Sequence, residues 1–374
     1  MSTSRVAEVI GAGIAGLSAA TALAQRGWTV TLHERQDAVR AVGAGIYLWD
    51  NGLAALEGLG AFDEATRGAH IAPAVEARSS TGRSLYRIPI NEAGGTRCFT
   101  VLRETLISAL RSAAQTSGVT LRTDAQCLAA APEGMVTFAD AERRADLVVC
   151  ADGVGSRLRD RLGLVSERVQ MREGAARMMV PVEAAGGLDV HAEYFGTRRR
   201  VLVTPCTSEL VYVALVGEAP GDTAPGRSPA DGWDEEFATL GPLLRARPES
   251  VVPWGRFELV RLTAWSRGSV AFLGDAAHAQ PPYLGQGGGT AMMNALSLAE
   301  IVTATPDVTE ALRIWERVQR PAVERTQLTS YRMRTLDRLP NALRSALLVT
   351  AARVPGVMSS SLAATRERPA GLPR

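Results

Sequence analysis

VAEVIGAGIAGLSAATALAQRGWTVTLHE, residues 6–34, is the stretch that decides the fold of this chain. The apolar run at residues 6–10 suits a buried parallel strand, and apolar side chains then recur at helical spacing. Gly27 ends that helix, and residues 28–33 read as a second strand. A strand, a helix and a second strand in this order predict a βαβ unit.

The motif GAGIAG, residues 11–16, occupies the first turn of this unit. Gly11 permits a tight turn, Gly13 lets a pyrophosphate approach the backbone, and Gly16 lets the helix pack closely on the strand. The helix N-terminus offers free N–H groups to the phosphates. Glu34 ends the second strand, where a carboxylate can accept hydrogen bonds from the hydroxyls of an adenosine ribose. The unit therefore predicts a dinucleotide-binding fold.

GAGIAG alone does not distinguish a nicotinamide cofactor from a flavin, but three distant segments do. ADGVGSRLR, from residue 151, places Asp152 at the end of a predicted strand and Ser156 where it can cap a helix. Arg103 begins an amphipathic helix, and Asp275 follows a short apolar strand and precedes a Pro/Gly loop. Singly, Asp152 could be a turn residue, Arg103 an exposed helix charge and Asp275 a cap. Their order and separation together indicate a cofactor whose second half is held by distant parts of the chain.

GAGIAG with Glu34, Arg103, ADG at 151–153 and GDAAHAQPPYLGQGG at 274–288 resembles the single-component (group A) FAD-dependent aromatic monooxygenases of the para-hydroxybenzoate hydroxylase fold. The resemblance covers about residues 5–330. It implies an α/β fold in which a Rossmann-like FAD-binding domain carries the βαβ motif. A smaller mixed or antiparallel-sheet substrate domain forms an α+β lid.

The resemblance also implies the roles of individual residues. Glu34 is expected at the adenosine ribose, Arg103 at the phosphate side of FAD, Asp152 near the pyrophosphate and Asp275 at a ribityl hydroxyl, while the loop 281–289 passes the flavin ring. Backbone amides of this glycine-rich loop suit the negative charge of a reduced flavin. The expected cofactor-binding residues are Gly11, Gly13, Ala15, Gly16, Glu34, Arg35, Arg103, Asp152, Gly153, Asp275, Pro282, Gly285, Gly287 and Gly288.

The predicted domains are discontinuous, because strand-like alternation and turn signals concentrate in two stretches between the cofactor motifs. The FAD-binding domain is expected at 1–72, 100–165 and 268–345. The sheet domain is expected at 73–99 and 166–267, and within it 219–234 is the most loop-like segment. Residues 346–374 are expected to form a tail.

A narrower resemblance concerns RAVGAGIYLWDNGLAALEGLG, residues 40–60, which is similar to the pyridine-ring oxygenases typified by 2-methyl-3-hydroxypyridine-5-carboxylate oxygenase. It implies that Arg200 and Tyr212 face the substrate. A hairpin register that places residue 200 opposite 212 would bring them together, with Arg198 on the same strand face as Arg200. The alternatives are a solvated charge run at 198–200 and a core aromatic at Tyr212. The chain departs from this subgroup at Val75, where a pocket tyrosine is expected, and at Pro281, in place of a cysteine.

The expected activity is hydroxylation of an electron-rich aromatic or N-heteroaromatic ring, such as a hydroxypyridine carboxylate, with or without ring opening. FAD is expected to be bound tightly but non-covalently. NADH or NADPH would reduce it, and O2 would then form a flavin C4a-hydroperoxide that the ring attacks. Arg200 would pair with a substrate carboxylate or phenolate, Tyr212 would bond a ring hydroxyl, and Tyr47 would line the same space. His278 is expected to serve loop packing. The alternative is a reductase or dehydrogenase without oxygen insertion; a flavin halogenase needs a lysine, and the chain has none.

Composition excludes other classes of protein. The net charge of +2, from 41 basic and 39 acidic residues, gives no electrostatic case for nucleic acid or an anionic membrane. The 4 cysteines are scattered without metal-ligand spacing, so no metal site is expected. No apolar run reaches the roughly 18 residues of a membrane span. We expect a cytoplasmic monomer or homodimer whose partners are a small aromatic substrate and O2.

Overall fold

The computed structural model describes residues 4–40, 44–218, 228–354 and 363–366. Parts of the predicted segments lie outside these residues, namely 1–3 at the start of the FAD-binding domain, 41–43 in the run 40–60, 219–227 in the loop-like segment, and 355–362 and 367–374 in the tail. The α-helices are α1 (Ile14–Ala24), α2 (Asp50–Leu59), α3 (Phe62–Ala65), α4 (Arg103–Thr116), α5 (Arg157–Arg161), α6 (Gly241–Arg245), α7 (Asp275–His278), α8 (Gly287–Ala304), α9 (Val308–Arg338) and α10 (Asn341–Arg353). In the part of the chain that the structure describes, no helix has both the length and the apolarity to cross a membrane.

The strands form four sheets. In chain order they are β1 (Val6–Ile10), β2 (Thr29–His33), β3 (Gly45–Trp49), β4 (Ala74–Ser79), β5 (Ser84–Pro89), β6 (Cys98–Leu102), β7 (Thr120–Arg122), β8 (Ala129–Ala130), β9 (Met135–Thr137), β10 (Glu142–Arg144), β11 (Leu147–Cys150), β12 (Val165–Pro181), β13 (His191–Phe195), β14 (Arg200–Pro205), β15 (Leu210–Glu218), β16 (Ser250–Leu262), β17 (Ser266–Arg267) and β18 (Val270–Phe272). Two sheets are small: β3 pairs with β6, and β8, β9 and β10 form a three-stranded sheet.

The cofactor motifs belong to a six-stranded sheet of order β17-β18-β11-β1-β2-β7. All its neighbours are parallel except the edge pair β17 and β18. Strand β11 is fully buried, as expected for a parallel strand that is covered on both faces. Helices α1, α4 and α8 contribute leucines and alanines to the same hydrophobic cluster as β1 and β11. The predicted Rossmann-like α/β architecture is confirmed.

A seven-stranded sheet of order β16-β12-β15-β14-β13-β4-β5 forms the second layer. Only the β13–β4 pair is parallel, so this sheet is mixed but mainly antiparallel. Alternation along β15 divides its two faces. Val211, Val213 and Leu215 pack in a cluster that includes α6, whereas Tyr212 and Ala214 belong to a cluster on the other face. The predicted domain boundaries stay a prediction, although the two sheets draw their strands from separate stretches of the chain.

Several local predictions agree with the structure. Strand β1 spans the predicted residues 6–10, and α4 begins at Arg103. The Ser156 hydroxyl accepts a hydrogen bond from the Arg159 N–H at 3.2 Å and caps α5, as its position predicted. Helix α8 begins at Gly287 rather than near Thr290, because Gln286 already accepts the backbone N–H of Thr290.

The predicted register of the β14–β15 hairpin is wrong. Arg200 pairs with Val216, and Tyr212 pairs with Thr204. The hydroxyl of Thr207 accepts hydrogen bonds from two backbone N–H groups within the turn, which fixes a register in which the partner of Arg200 lies four residues beyond the predicted one. Because the shift is an even number of residues, Arg200 and Tyr212 still share one face of the sheet.

Arg198 does not share that face. Its φ of 56° places it in the left-handed region, in the turn that precedes β14. Arg198 and Arg199 are exposed, whereas Arg200 is only 1% exposed. A solvated charge run therefore describes the first two arginines and not the third, since only the third lies within the strand.

A glycine pair tests the close contact between β12 and β16. A Cβ on Gly174 would lie 2.4 Å from the carbonyl oxygen of Gly255, whereas a Cβ on Gly255 would meet nothing within 4 Å. We expect Gly174→Ala to lower the free energy of unfolding by about 1–3 kcal/mol, as overpacking does. Gly255→Ala is the matched control and should leave it near the wild-type value. Thermal unfolding of both variants measures this, and equal melting temperatures would contradict the contact.

Candidate active site

A cavity of about 530 Å³ lies between the two sheets. Its first wall consists of the turns that follow β1, β11 and β18, represented by Gly13, Gly153 and Asp275. Its second wall is a face of the seven-stranded sheet, which contributes Arg200 and Tyr212. Ligands in open α/β sheets bind beyond the carboxyl ends of the strands, which is where this cavity lies.

The glycines of the first turn are fixed by backbone contacts. Gly11 has a φ of 99°, and a Cβ there would lie 2.5 Å from the carbonyl oxygen of Ala151. A Cβ on Gly16 would lie 1.8 Å from the carbonyl oxygen of Gly11. A Cβ on Gly13, by contrast, would meet nothing within 4 Å, and Gly13 caps α1 without a side-chain hydrogen bond. Open space in front of free helix N–H groups suits a pyrophosphate.

Glu34 lies where β2 ends, and its carboxylate is held beside this turn. It accepts a hydrogen bond from the backbone N–H of Ala12 and another from that of Gln36, each at 3.0 Å. Arg35 is exposed, and its charge slightly opposes the rise in the pKa of Asp152 that burial causes. The ribose role of Glu34 stays a prediction, which its fixed position at the mouth of the glycine turn supports.

Asp152 carries an unsatisfied acceptor. Burial raises the pKa of this carboxyl, and a hydrogen bond with Ser156 lowers it. Its Oδ1 atom is buried, and the described residues provide it with no hydrogen-bond partner. A buried acceptor without a donor is costly in a finished protein, so a hydroxyl of a bound cofactor is a natural partner.

Arg103 and Asp275 face the cavity from different elements, α4 and α7. Burial lowers the pKa of Arg103 and raises that of Asp275, and the charge of each residue opposes the shift of the other. Both side chains nevertheless expose surface to the cavity. Such surface is available to a polar ligand, which fits the predicted contacts with the phosphate and ribityl parts of FAD.

The loop after α7 is anchored from two sides. The Ser330 hydroxyl of α9 donates a hydrogen bond to the carbonyl of Pro281, and the Asn51 amide of α2 donates one to the side chain of Gln286 at 2.8 Å. Gly285 has a φ of 61°, and a Cβ on Gly287 would meet nothing within 4 Å. The loop is thus held in place while its backbone stays accessible, as the approach of a flavin ring requires.

Together these residues fit FAD. The glycine turn leaves room for the pyrophosphate, Asp152 offers an unused acceptor, and the anchored loop offers backbone N–H groups. Nine of the 14 predicted cofactor-binding residues line one cavity, namely Gly13, Ala15, Arg103, Gly153, Asp275, Pro282, Gly285, Gly287 and Gly288. The other five, Gly11, Gly16, Glu34, Arg35 and Asp152, are not among its lining residues.

The second wall holds the predicted substrate residues. The Tyr47 hydroxyl is hydrogen-bonded to the Thr204 hydroxyl, and the Arg177 guanidinium lies beside the Tyr212 hydroxyl, where its charge opposes the rise in the tyrosine pKa that burial causes. Burial raises the pKa of both tyrosines above the ordinary value. Both hydroxyls therefore stay neutral at physiological pH and serve as hydrogen-bonding groups. The structure brings Tyr47, Tyr212 and Arg200 to one cavity, but not as direct cross-strand partners.

Arg200 already has two acidic partners. Its Nη1 donates a hydrogen bond to Glu193 at 2.5 Å, and its Nη2 donates one to Asp337 at 3.0 Å, with its Nε 2.6 Å from the same carboxylate. These two charges raise the pKa of Arg200 despite its burial, which acts in the opposite direction. The predicted pairing of Arg200 with a substrate carboxylate therefore faces competition from two residues of the chain itself.

His278 is a packing residue in this structure. Its Nε2 accepts a hydrogen bond from the Asn294 amide at 3.0 Å, and its ring packs against Trp265. Burial lowers its pKa to about 4, so it is neutral at physiological pH.

Sequence reasoning missed several residues of the cavity. Gln280 and Tyr283 lie in the loop that the sequence marked, but nothing in their spacing singled them out. Arg177, Glu193 and Asp337 carry no local motif, because their roles come from pairing across strands and with α9. Hydrophobic alternation on β12 and β13 was the one available signal for the first two.

Comparisons with known proteins agree with this site. A family model described as a FAD binding domain matches residues 3–307. The chain is 52% identical over 350 residues to the 2-heptyl-3-hydroxy-4(1H)-quinolone synthase of Mycobacteroides abscessus, covering 91% of this chain and 93% of that protein. It is 30% identical over 350 residues to the 6-hydroxynicotinate 3-monooxygenase of Bordetella bronchiseptica, and the match covers 86% of this chain and 90% of that protein. A solved tetrameric form of 2-methyl-3-hydroxypyridine-5-carboxylic acid oxygenase is 35% identical to this chain, with a TM-score of 0.84, and the match covers 98% of this chain and 97% of that one.

The two glycines of the first turn separate packing from cofactor binding. We expect Gly16→Ala to destabilise the protein even without FAD, by about 1–3 kcal/mol, because its Cβ collides with the backbone. Gly13→Ala should leave the stability of the FAD-free protein unchanged and raise the FAD dissociation constant at least about tenfold, because only the pyrophosphate comes close to it. Thermal unfolding of FAD-free protein and FAD titration measure the two effects. Wild-type FAD affinity in Gly13→Ala would refute the phosphate assignment.

His278 predicts a pH dependence of stability. Its pKa is about 4 in the folded state against an ordinary 6.5, so the unfolded chain binds more protons between these values. The contribution is complete above pH 6.5 and is lost as pH falls towards 4. In the wild type, His278 should cost up to about 3 kcal/mol of the free energy of unfolding as pH falls towards 4, and His278→Gln should remove this cost. A residual pH slope should remain from buried His191, whose pKa is about 3. Urea unfolding from pH 4 to 7 measures the slope; an unchanged slope would contradict the assignment.

Proposed function

This chain belongs to the FAD-binding family of para-hydroxybenzoate hydroxylase-like aromatic monooxygenases, as its motifs predicted, and we propose that it hydroxylates C3 of a 2-alkyl-4(1H)-quinolone. The co-substrates in this proposal are NAD(P)H and O2. One oxygen atom enters the product, the other leaves as water, and NAD(P)H supplies the two electrons. The proposal narrows the expected electron-rich N-heteroaromatic ring to a quinolone, in place of the hydroxypyridine carboxylate that served as its example.

The apolar part of the second wall is the observation that carries the proposal. Leu202, Ala214 and Val216 lie on the cavity face of β14 and β15, and Val252 and Phe257 of β16 line the same cavity. Burying each methylene of an alkyl chain contributes about 0.8 kcal/mol. An alkyl-substituted ring would use this surface, whereas a small pyridine carboxylate would leave much of it uncovered.

The product named for the Mycobacteroides abscessus relative has a heptyl group at ring position 2 and a hydroxyl at position 3. A monooxygenase forms such a hydroxyl from a ring that carries hydrogen at that carbon. In a 4(1H)-quinolone, C3 is conjugated with the ring nitrogen through C2 and is therefore electron-rich. Bound FAD, reduced by NAD(P)H, supplies an electrophilic oxygen from O2.

Residues of the second wall would orient the ring. The hydroxyls of Tyr47 and Tyr212 are neutral hydrogen-bonding groups, since burial raises the pKa of both. They suit the carbonyl and N–H of a quinolone; Thr204 holds the Tyr47 hydroxyl in place, and Arg177 lies beside the Tyr212 hydroxyl. Neither tyrosine needs to remove a proton before the carbon attacks, because the ring nitrogen provides the electron density. The chain's own contribution is orientation and exclusion of water.

A substrate panel tests the proposal on purified holoenzyme. It contains 2-heptyl-4(1H)-quinolone, its 2-methyl analogue, 6-hydroxynicotinate and 2-methyl-3-hydroxypyridine-5-carboxylate. We expect quinolone-dependent NAD(P)H oxidation and one 18O atom from 18O2 at C3 of the product. The kcat/KM should be about tenfold or more higher for heptyl than for methyl, because the longer chain buries more methylenes.

The same panel distinguishes the alternatives. NAD(P)H oxidation with a reduced or dehydrogenated product and no 18O would indicate the reductase or dehydrogenase. Preference for either pyridine carboxylate would contradict the quinolone proposal and favour the original expectation. Parallel assays with NADH and NADPH identify the electron donor.

A further inference from the structure

Arg200 is embedded in the cavity wall together with its counterions. It lies on the same sheet face as Glu193 and Leu202, and all three line the cavity. Asp337 reaches it from the last turn of α9. The side chain of Arg200 is 1% exposed, that of Glu193 22% and that of Asp337 9%. The group is therefore a preformed part of the wall rather than a surface ion pair.

The guanidinium is held on its faces as well as at its edge. The Tyr283 ring lies with its centroid 4.5 Å from the Arg200 Cζ, and the Phe195 ring lies at 5.1 Å. Aromatic faces attract a guanidinium and restrict its rotation. Arg200 cannot turn towards a ligand without giving up contacts to Asp337 and Glu193, so its orientation is set before any ligand binds.

The two carboxylates that contact Arg200 outweigh its single positive charge. Two carboxylates contact one guanidinium, and the more exposed of them, Glu193, itself faces the cavity. Arg344 is another cation near Arg200, but it is buried and donates hydrogen bonds to the carbonyl of Gly196 and to Asn341. Arg103, Arg177 and Arg256 also line the cavity, whereas the direct contacts of Arg200 are with Glu193 and Asp337. A carboxylate entering beside Arg200 would meet the charge of Glu193 before it gained any from the arginine.

We propose that Glu193 and Asp337 act as internal counterions that occupy Arg200, exclude carboxylate-bearing rings and so select uncharged rings for this cavity. This inference rests on the proposed function, because it assigns the aromatic substrate to the same cavity. It makes the two acidic residues determinants of specificity, and it explains how an arginine can lie beside a substrate that carries no negative charge. Like-charge juxtaposition is a general means of rejecting a competing ligand.

Removing one counterion should open the site to a carboxylate. We expect Glu193→Gln, in the holoenzyme, to lower the dissociation constant of 6-hydroxynicotinate at least about tenfold, because the variant loses the excess negative charge beside Arg200 at nearly constant volume and leaves Asp337 as its one acidic partner. Asp337→Asn should act in the same direction. The affinity for uncharged 2-heptyl-4(1H)-quinolone should change less than about threefold. Titrations followed by the flavin absorbance change measure binding without turnover.

Glu258→Gln is the matched control. Glu258 lines the same cavity, but its carboxylate accepts a hydrogen bond from Arg168 at 2.9 Å rather than from Arg200. The affinity of the Glu258→Gln variant for 6-hydroxynicotinate should stay within about twofold of the wild-type affinity. Adding Arg200→Gln to Glu193→Gln should abolish the gain. An equal gain in Glu258→Gln, or a gain that survives the loss of Arg200, would overturn the proposal.

The outcome does not depend on one variant or on turnover. Should Glu193→Gln fail to retain FAD, Asp337→Asn gives the same reading. Should both fail, the wild type decides: 6-hydroxynicotinate binding as tight as that of the uncharged 2-methyl-4(1H)-quinolone, which lacks the long alkyl chain, overturns the inference, and much weaker binding supports it. A chain that rejects carboxylates but does not hydroxylate quinolones refutes the proposed function alone. A chain that hydroxylates quinolones yet binds the carboxylate tightly refutes the inference alone.

Discussion

The close approach of three backbone segments is the constraint on which the rest of the structure depends. Gly11 lies against the carbonyl of Ala151, Gly16 lies against Gly11, and a Cβ on Gly274 would lie 2.7 Å from that of Ala15. These contacts bind the ends of β1, β11 and β18 into one surface. Each contact leaves no space for a side chain, so glycine is required there. The cofactor wall of the cavity is a consequence of that packing.

The seven-stranded sheet provides the other wall by simple alternation of its side chains. On β15, residues of odd number pack into a hydrophobic cluster with α6, and residues of even number face the cavity. The same strand therefore contributes to stability on one face and to binding on the other. Helix α9 completes the arrangement, because Gln327 donates hydrogen bonds to the carbonyls of Val260 and Ala279 and ties the flavin loop to β16.

Charge within the cavity is compensated mainly by the chain itself. Arg103 and Asp275 oppose each other's pKa shifts, and Arg200 is paired with two carboxylates. Buried charges need such partners because the low dielectric of the interior penalises an isolated ion. Specificity in this cavity thus depends on which charges remain unpaired, and residue identity alone does not reveal that.

The sequence by itself determined the α/β fold, the cofactor FAD and most of the chain segments that line the first wall of the cavity, because glycine spacing and strand–turn–helix patterns follow from local backbone geometry. It also placed the Ser156 cap and the start of α4 correctly. Only the tertiary structure decided the β14–β15 register, which depends on the turn at Thr207, and the pairing of Arg200 with Glu193 and Asp337. Asp337 lies 137 positions from Arg200 in the chain, and no local pattern can report a contact formed only when α9 packs on the sheet.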